Sequence, residues 1–157
     1  MSRIPIFSTL LGVMLLLATP ALADHKTALQ RTVYVPVYSH VFSGNKAHPF
    51  YLAATMAIRN IDPKHSVTLH SADYFDSDGT LIEHHLPEPI TLPPMGSHFL
   101  FVREHDKTGG PGASFLIKWS GKASMNHPLI EAILIGSSGG QGISFICPGR
   151  EIQQPGN

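Results

Sequence analysis

Histidine is the residue type in this chain best equipped to do chemistry. Ten are present, at His25, His40, His48, His65, His70, His84, His85, His98, His105 and His127. Imidazole is the commonest metal ligand and the side chain that titrates nearest neutral pH. The spacing announces no site, because no H-x-x-x-H, H-E-x-x-H or C-x-x-C run occurs, and metal centres ordinarily show one. One constellation can still be built. If Asp76-Ser77-Asp78-Gly79 closes a four-residue hairpin between Phe75 and Thr80, His70 faces His85 across the ladder with Cβ atoms about 5 Å apart. His70 and His85, with His84 beside them, would then be able to share Zn²⁺ or Cu²⁺. A one-residue change of register separates the pair. Polar loop and surface histidines are the commoner outcome, so the expectation is no cofactor, with Zn or Cu as the alternative.

The remaining reactive groups are sparse. Cys147 is the single cysteine, which excludes a disulfide framework within the chain. Nothing near it supplies the cation or helix terminus that a catalytic thiol needs. Gly112-Ala113-Ser114-Phe115-Leu116 lacks the final glycine of a hydrolase nucleophile elbow and runs into a strand. A hydrolase is therefore the least favoured reading. Asp76-x-Asp78-Gly79 resembles part of a calcium loop. With Gly79 in the sixth place, however, Tyr74 and His85 stand where the first and twelfth carboxylates belong. Glu131 is the one charge in the apolar run LIEAILI and, if it faces the core, calls for a partner such as Arg59 or a histidine. Two glycine-rich stretches, EHDKTGGPG at 104–112 and SSGGQG at 137–142, contain no Gly-Lys-Ser/Thr and open no helix, so neither is a phosphate cradle. They remain candidate binding loops, because a bare backbone allows close approach of a partner. The residues singled out there are Gly109, Gly110, Gly112, Gly139, Gly140 and Gln141.

These groups sit between segments whose apolar pattern has period two, the period of a strand. Strands are expected at 33–38, 50–60, 67–75, 80–86, 90–92, 99–102, 114–119, 129–135 and 143–146. Pro36 marks the first as an edge open to strand addition. LIEAILI, bounded by Pro128 and Gly136, is too short for an ordinary helix and reads as a central strand buried on both faces. Trp119 and the tyrosines Tyr34, Tyr38, Tyr51 and Tyr74 could line a ligand platform, although aromatic residues in alternating strands are more often core. Eight or nine short strands punctuated by Gly and Pro predict an all-β fold, an antiparallel β-sandwich.

Residues 1–23 read as an export signal rather than structure. Arg3 is followed by the apolar run Leu10–Ala18 and the small-x-small site Ala21-Leu22-Ala23. The run is about half the length of a membrane span, so cleavage after Ala23 is expected to release one domain, 24–157, to a bacterial periplasm or beyond. Eleven Lys+Arg balance eleven Asp+Glu with no basic cluster, which argues against nucleic acid as a partner. A hydrophobic fraction of 43% excludes a disordered chain.

The stretches VYVPVYSH (33–40), AIRNIDPKHS (57–66), YFDSDG (74–79), GGPGASFLIKW (109–119) and IEAILIGSSGGQGISF (130–145) resemble a family of small exported bacterial proteins known only as a domain of unknown function. That resemblance implies an exported all-β domain and brings no activity or site residues. More loosely, the strand order is similar to immunoglobulin-like or transducer-type sandwiches that bind partners, a likeness of fold that does not fix function. The reading that follows is a non-catalytic binding module for a protein or small-molecule partner, with self-association possible. Its candidate surface is the loop pair 104–112 and 137–142. A histidine-based metal-binding protein is the alternative.

Overall fold

The computed structural model describes residues 28–153; the expected signal, 1–23, and its cleavage site lie outside the described residues. Twelve strands follow one another: β1 Ala28–Pro36, β2 His40–Ser43, β3 His48–Tyr51, β4 Ala53–Arg59, β5 Val67–Phe75, β6 Leu81–His84, β7 Ile90–Leu92, β8 Ser97–Val102, β9 Ser114–Lys122, β10 Leu129–Ser138, β11 Gln141–Pro148 and β12 Arg150–Ile152. The one helical element among the described residues is a 3₁₀ turn at Gly110–Gly112. A six-stranded sheet runs β12-β1-β9-β5-β6, with β7 also paired to β5. A four-stranded sheet runs β11-β10-β4-β8, and β2 pairs with β3 as a separate hairpin. Every pairing is antiparallel. The all-β sandwich expected from the alternation is the observed fold.

The period-two pattern places the core. From the six-stranded sheet, Val33, Val35, Leu69, Tyr74, Phe115, Ile117 and Trp119 turn inward. They join Ala54, Met56, Ile58, Leu100, Ile130, Ala132 and Leu134 of the four-stranded sheet in one apolar cluster. Trp119 and Tyr74 belong to this core and line no ligand platform. Inward and outward residues alternate along β4 as the sequence predicts, with Ala54, Met56 and Ile58 buried and Arg59 exposed.

Three expectations about strands are corrected. The segment 50–60 is divided: Phe50 and Tyr51 close the β2–β3 hairpin, and Leu52 crosses into the four-stranded sheet. β1 is not an open edge, because β12 pairs with Thr32, Val33 and Tyr34 on the side away from β9. Pro36 is tolerated as the last residue of β1, beyond the reach of β12, where no N–H is asked of it. β10 is central in its sheet, yet only one of its faces is buried. Ile130, Ala132 and Leu134 are inside, whereas Leu129 and Ile135 are 42% and 56% exposed.

A polar knot closes the end of the sandwich where β4 leaves for β5. The buried Asn60 donates from Nδ2 to the carbonyls of His65 and Pro93, both at 2.8 Å, and at 3.3 Å to that of Leu92, while its Oδ1 accepts from the Asp62 N–H. Asp62 Oδ1 accepts the N–H groups of Lys64 and His65 and the His65 imidazole. Asp62 Oδ2 accepts the N–H of Asn126, in the β9–β10 connection. Two side chains thus join three loops from both sheets. Lys122 Nζ lies 3.3 Å from His65 Nε2, which leaves that nitrogen as the acceptor and Nδ1 as the N–H donor to Asp62. The backbone N–H groups, Asn126 first, hold the Asp62 carboxyl well below its ordinary value of 3.8.

Because the folded chain lowers this pKa, protonation favours the unfolded state. The contribution of Asp62 is complete above about pH 4 and is lost as the pH falls through the depressed folded value. Urea midpoints measured from pH 7 to pH 2 should therefore drop on the acid side, and Asp62→Asn should lower the midpoint at pH 7 and flatten that drop. Asn60→Ala, which removes the bonds to the His65, Leu92 and Pro93 carbonyls and leaves the Asp62 N–H without Oδ1, should cost about 2–3 kcal/mol in the same assay.

Candidate functional site

The histidines are separated by register. Asp73 faces His84 and Tyr74 faces Glu83, with a bulge before Phe75 opposite Leu81. The turn therefore sets the ladder two residues away from the pairing that would oppose His70 and His85. His70, at a second bulge in β5, bonds through Nε2 to Ser120 Oγ on β9 at 2.7 Å. His84 is exposed and holds Asp73 Oδ1 through Nδ1 at 2.7 Å. His85, the next residue, points the other way. Its ring lies 5.8 Å from Tyr74 and 5.1 Å from Phe115, centroid to centroid, with Nε2 3.4 Å from Glu83 Oε2. Among the described residues no group of three or more His, Cys, Asp or Glu side chains is placed to hold a metal ion. The physical reason is that neighbouring strand residues face opposite ways, so His84 and His85 cannot serve one ion from a regular strand.

The other sequence candidates fall into ordinary roles. Asp76 Oδ1 accepts the N–H groups of Asp78 and Thr80, and Gly79 takes φ 81°, so this run is a hairpin turn. Cys147 is buried on the inner side of β11, and burial pushes its thiol pKa up. Glu131 finds the predicted partner, with Arg59 Nη1 2.7 Å from its Oε1. That pair stands on the outer side of the sheet, not in the core.

The two glycine-rich loops lie at the end of the sandwich opposite the polar knot. In the first, Ser77 Oγ donates to the Gly109 carbonyl at 3.0 Å and accepts the Gly112 N–H at 2.8 Å. Gly109 is pressed against the Tyr74 hydroxyl and Ala113, so a Cβ there would overlap both. Gly139 and Gly140 instead form the open tip of the β10–β11 hairpin, with φ 58° and 80° and nothing near their would-be Cβ atoms. Gln141 opens β11 and is exposed. Beside the first loop, an open cleft of about 720 Å³ separates β6 from the end of β8. Glu83, His85, Phe101, Arg103, Asp106 and Lys107 are among its lining residues. Both charge signs are present, and the Thr108 hydroxyl at its rim donates to Asp106.

The most distinctive surface is one no sequence motif marks. The outward residues of the four-stranded sheet stand in rows fixed by register. Pro148, Glu131, Ala57 and Phe99 form one row; Ile146, Ile133, Thr55 and Phe101 the next; Ser144, Ile135 and Ala53 the third. Phe99 is 69%, Ile146 58%, Ile135 56% and Phe101 51% exposed. The charges on these rows and the Leu129–Arg59–Ser97 row beside them are Glu131 and Arg59, which neutralise each other. The outer face of the six-stranded sheet is mostly polar by contrast, carrying Thr68, Asp73, His84 and Lys118. The signal was present in the sequence, since FLFV (99–102) and LIEAILI (129–135) are apolar at both parities. For LIEAILI such a pattern predicts burial on both faces. One chain covers only one face.

The model of a protein family of unknown function, DUF3124, matches residues 30–152, from β1 through β12. The chain belongs to that family. No curated protein matches it. Among solved structures, that of Thermotoga maritima 1070 is similar over 76% of this chain and 92% of that one, at 10% identity and a TM-score of 0.46.

The contrast between the two loops is directly measurable. Gly109→Ala should cost about 1–3 kcal/mol by overpacking against Tyr74, whereas Gly142→Ala, whose Cβ would meet only the Gly136 carbonyl oxygen at an ordinary 3.9 Å, should leave the stability within about 0.5 kcal/mol of the parent by urea unfolding.

Proposed function

We propose that this protein is an exported, non-catalytic β-sandwich module that acts by docking a protein surface onto the outer face of its four-stranded sheet. The observation that carries this reading is the contiguous apolar face of Phe99, Phe101, Ile133, Ile135 and Ile146. Four strands about 4.8 Å apart and some seven residues of about 3.3 Å each give a flat footprint of roughly 450 Å². Contiguous apolar patches of several hundred Å² mark interaction sites on soluble proteins. The signal-like segment 1–23 supports export, and the face supports docking in the compartment it reaches. The apolar face is favoured over the loop pair because the 109–112 loop spends its backbone groups on Ser77. It is favoured over a metal centre because the histidines of β5 and β6 are each bonded or packed elsewhere.

Two measurements test the reading. Protein recovered from the periplasm or medium after expression of the full chain should begin at Asp24 by intact mass. A photo-cross-linking residue placed at Phe101 should trap a discrete protein adduct in that compartment, while the same residue at Phe42, exposed on β2, should not. Equal labelling at both positions, or none at Phe101, would overturn the docking surface.

A further inference from the structure

We infer that the occupant of this face is the same face of a second copy of the chain, packed sheet on sheet about a two-fold axis. The inference rests on the docking reading above and names its partner. Its first support is shape. The outward residues of β4 are small, Ala53, Thr55 and Ala57, and form a trough beside the Ile133 and Ile135 ridge of β10. A two-fold parallel to the strands and centred between β4 and β10 places the ridge of each copy over the trough of the other. Phe101 of β8 then comes over Ile146 of β11 in the partner. An isologous interface requires a patch complementary to itself, and a face carrying both the ridge and the matching trough meets that condition. Two sheets so stacked keep the ~10 Å spacing of face-to-face packing, with their strands aligned.

The second support is charge. The face holds one neutralised pair, Arg59 with Glu131, and the exported chain, without Arg3, has ten positive and eleven negative side chains, close to neutral. Two copies therefore approach without repulsion, and a lipid surface finds no excess of basic residues on the face to attract it. The third is area. A stable interface buries about 800 Å² of accessible surface per partner with an apolar centre and a polar rim. The flat footprint of roughly 450 Å² accounts for that centre, and the β10–β11 hairpin and the 103–108 loop are placed to form the rim.

Sedimentation velocity and native mass spectrometry of the exported protein, from 1 to 100 µM, test the inference. The expected result is a dimer that Phe101→Lys and Ile135→Lys each weaken at least 10-fold in Kd, while Phe42→Lys leaves it unchanged. Circular dichroism confirms that each variant is folded. Should Ile135→Lys fail to fold, Phe99→Lys, at the most exposed of these positions, takes its place. A monomer throughout the range, or an oligomer indifferent to all the face variants, overturns the second copy as occupant. A monomer that binds neutral phosphatidylcholine vesicles through Phe101 does so too, and replaces it with a membrane. A monomer whose Phe101 position still cross-links a different protein leaves the docking reading standing and removes only its partner. Absence of any Phe101-dependent association removes both.

Discussion

Between the two sheets, Val35, Phe115, Ile117 and Trp119 from one side and Met56, Ile58, Ala132 and Leu134 from the other are all 1% exposed or less. This dry layer is the constraint on which everything else in the molecule depends. A strand sends alternate side chains to opposite faces, so once these residues are committed inward, the fate of every neighbour is decided as well. On the six-stranded sheet the neighbours are mostly polar and the outer face meets water comfortably. On the four-stranded sheet the large ones are Phe99, Phe101, Ile133, Ile135 and Ile146, around small residues and the Arg59–Glu131 pair. The unequal outer faces are thus a direct consequence of one burial decision applied to two sequences of different parity.

The two ends of the sandwich are built by different means. At one end, Asn60 and Asp62 gather three loops by using nearly all of their hydrogen-bonding capacity, so that buried polar groups replace water with backbone partners. Such a knot holds geometry without apolar area, which is useful where connections rather than strands must be fixed. At the other end, the 109–112 loop is held by Ser77 and by the close approach of glycine to Tyr74, while the β10–β11 hairpin projects freely. Rigidity at the first end and along β10 gives the exposed apolar face a fixed shape, and a docking surface profits from one because little is lost in ordering it.

The histidines show how composition can mislead when direction is ignored. His65, His84 and His127 each sit on a carboxylate, on Asp62, Asp73 and Glu151 respectively. His70 sits on a serine, and His40 and His85 pack edge-on or tilted against aromatic rings. Four of these rings thus find a polar partner, whereas the buried His40 Nδ1 and His85 Nε2 have no hydrogen-bond partner among the described residues and the rings are held by packing. The abundance of imidazole is real, but its distribution over both faces and both ends of a sandwich keeps it from converging.

By itself the sequence determined the all-β class, the positions of most strands and the 76–79 turn, and it offered Arg59 as one partner for Glu131. The first three follow from local alternation and turn chemistry. The tertiary structure alone decided the register of β5 against β6, because a wider turn and a one-residue bulge leave no mark in composition yet together shift the ladder by two residues and move His70 away from His85. It alone revealed β12 as the cover of β1, since Arg150-Glu151-Ile152 is exposed throughout and carries no apolar alternation. It also decided that the second apolar side of β8 and β10 faces outward. A sequence apolar at both parities states that two faces want burial. It cannot state whether the chain itself or a partner supplies the second layer, because that depends on how many sheets the chain has left to pack.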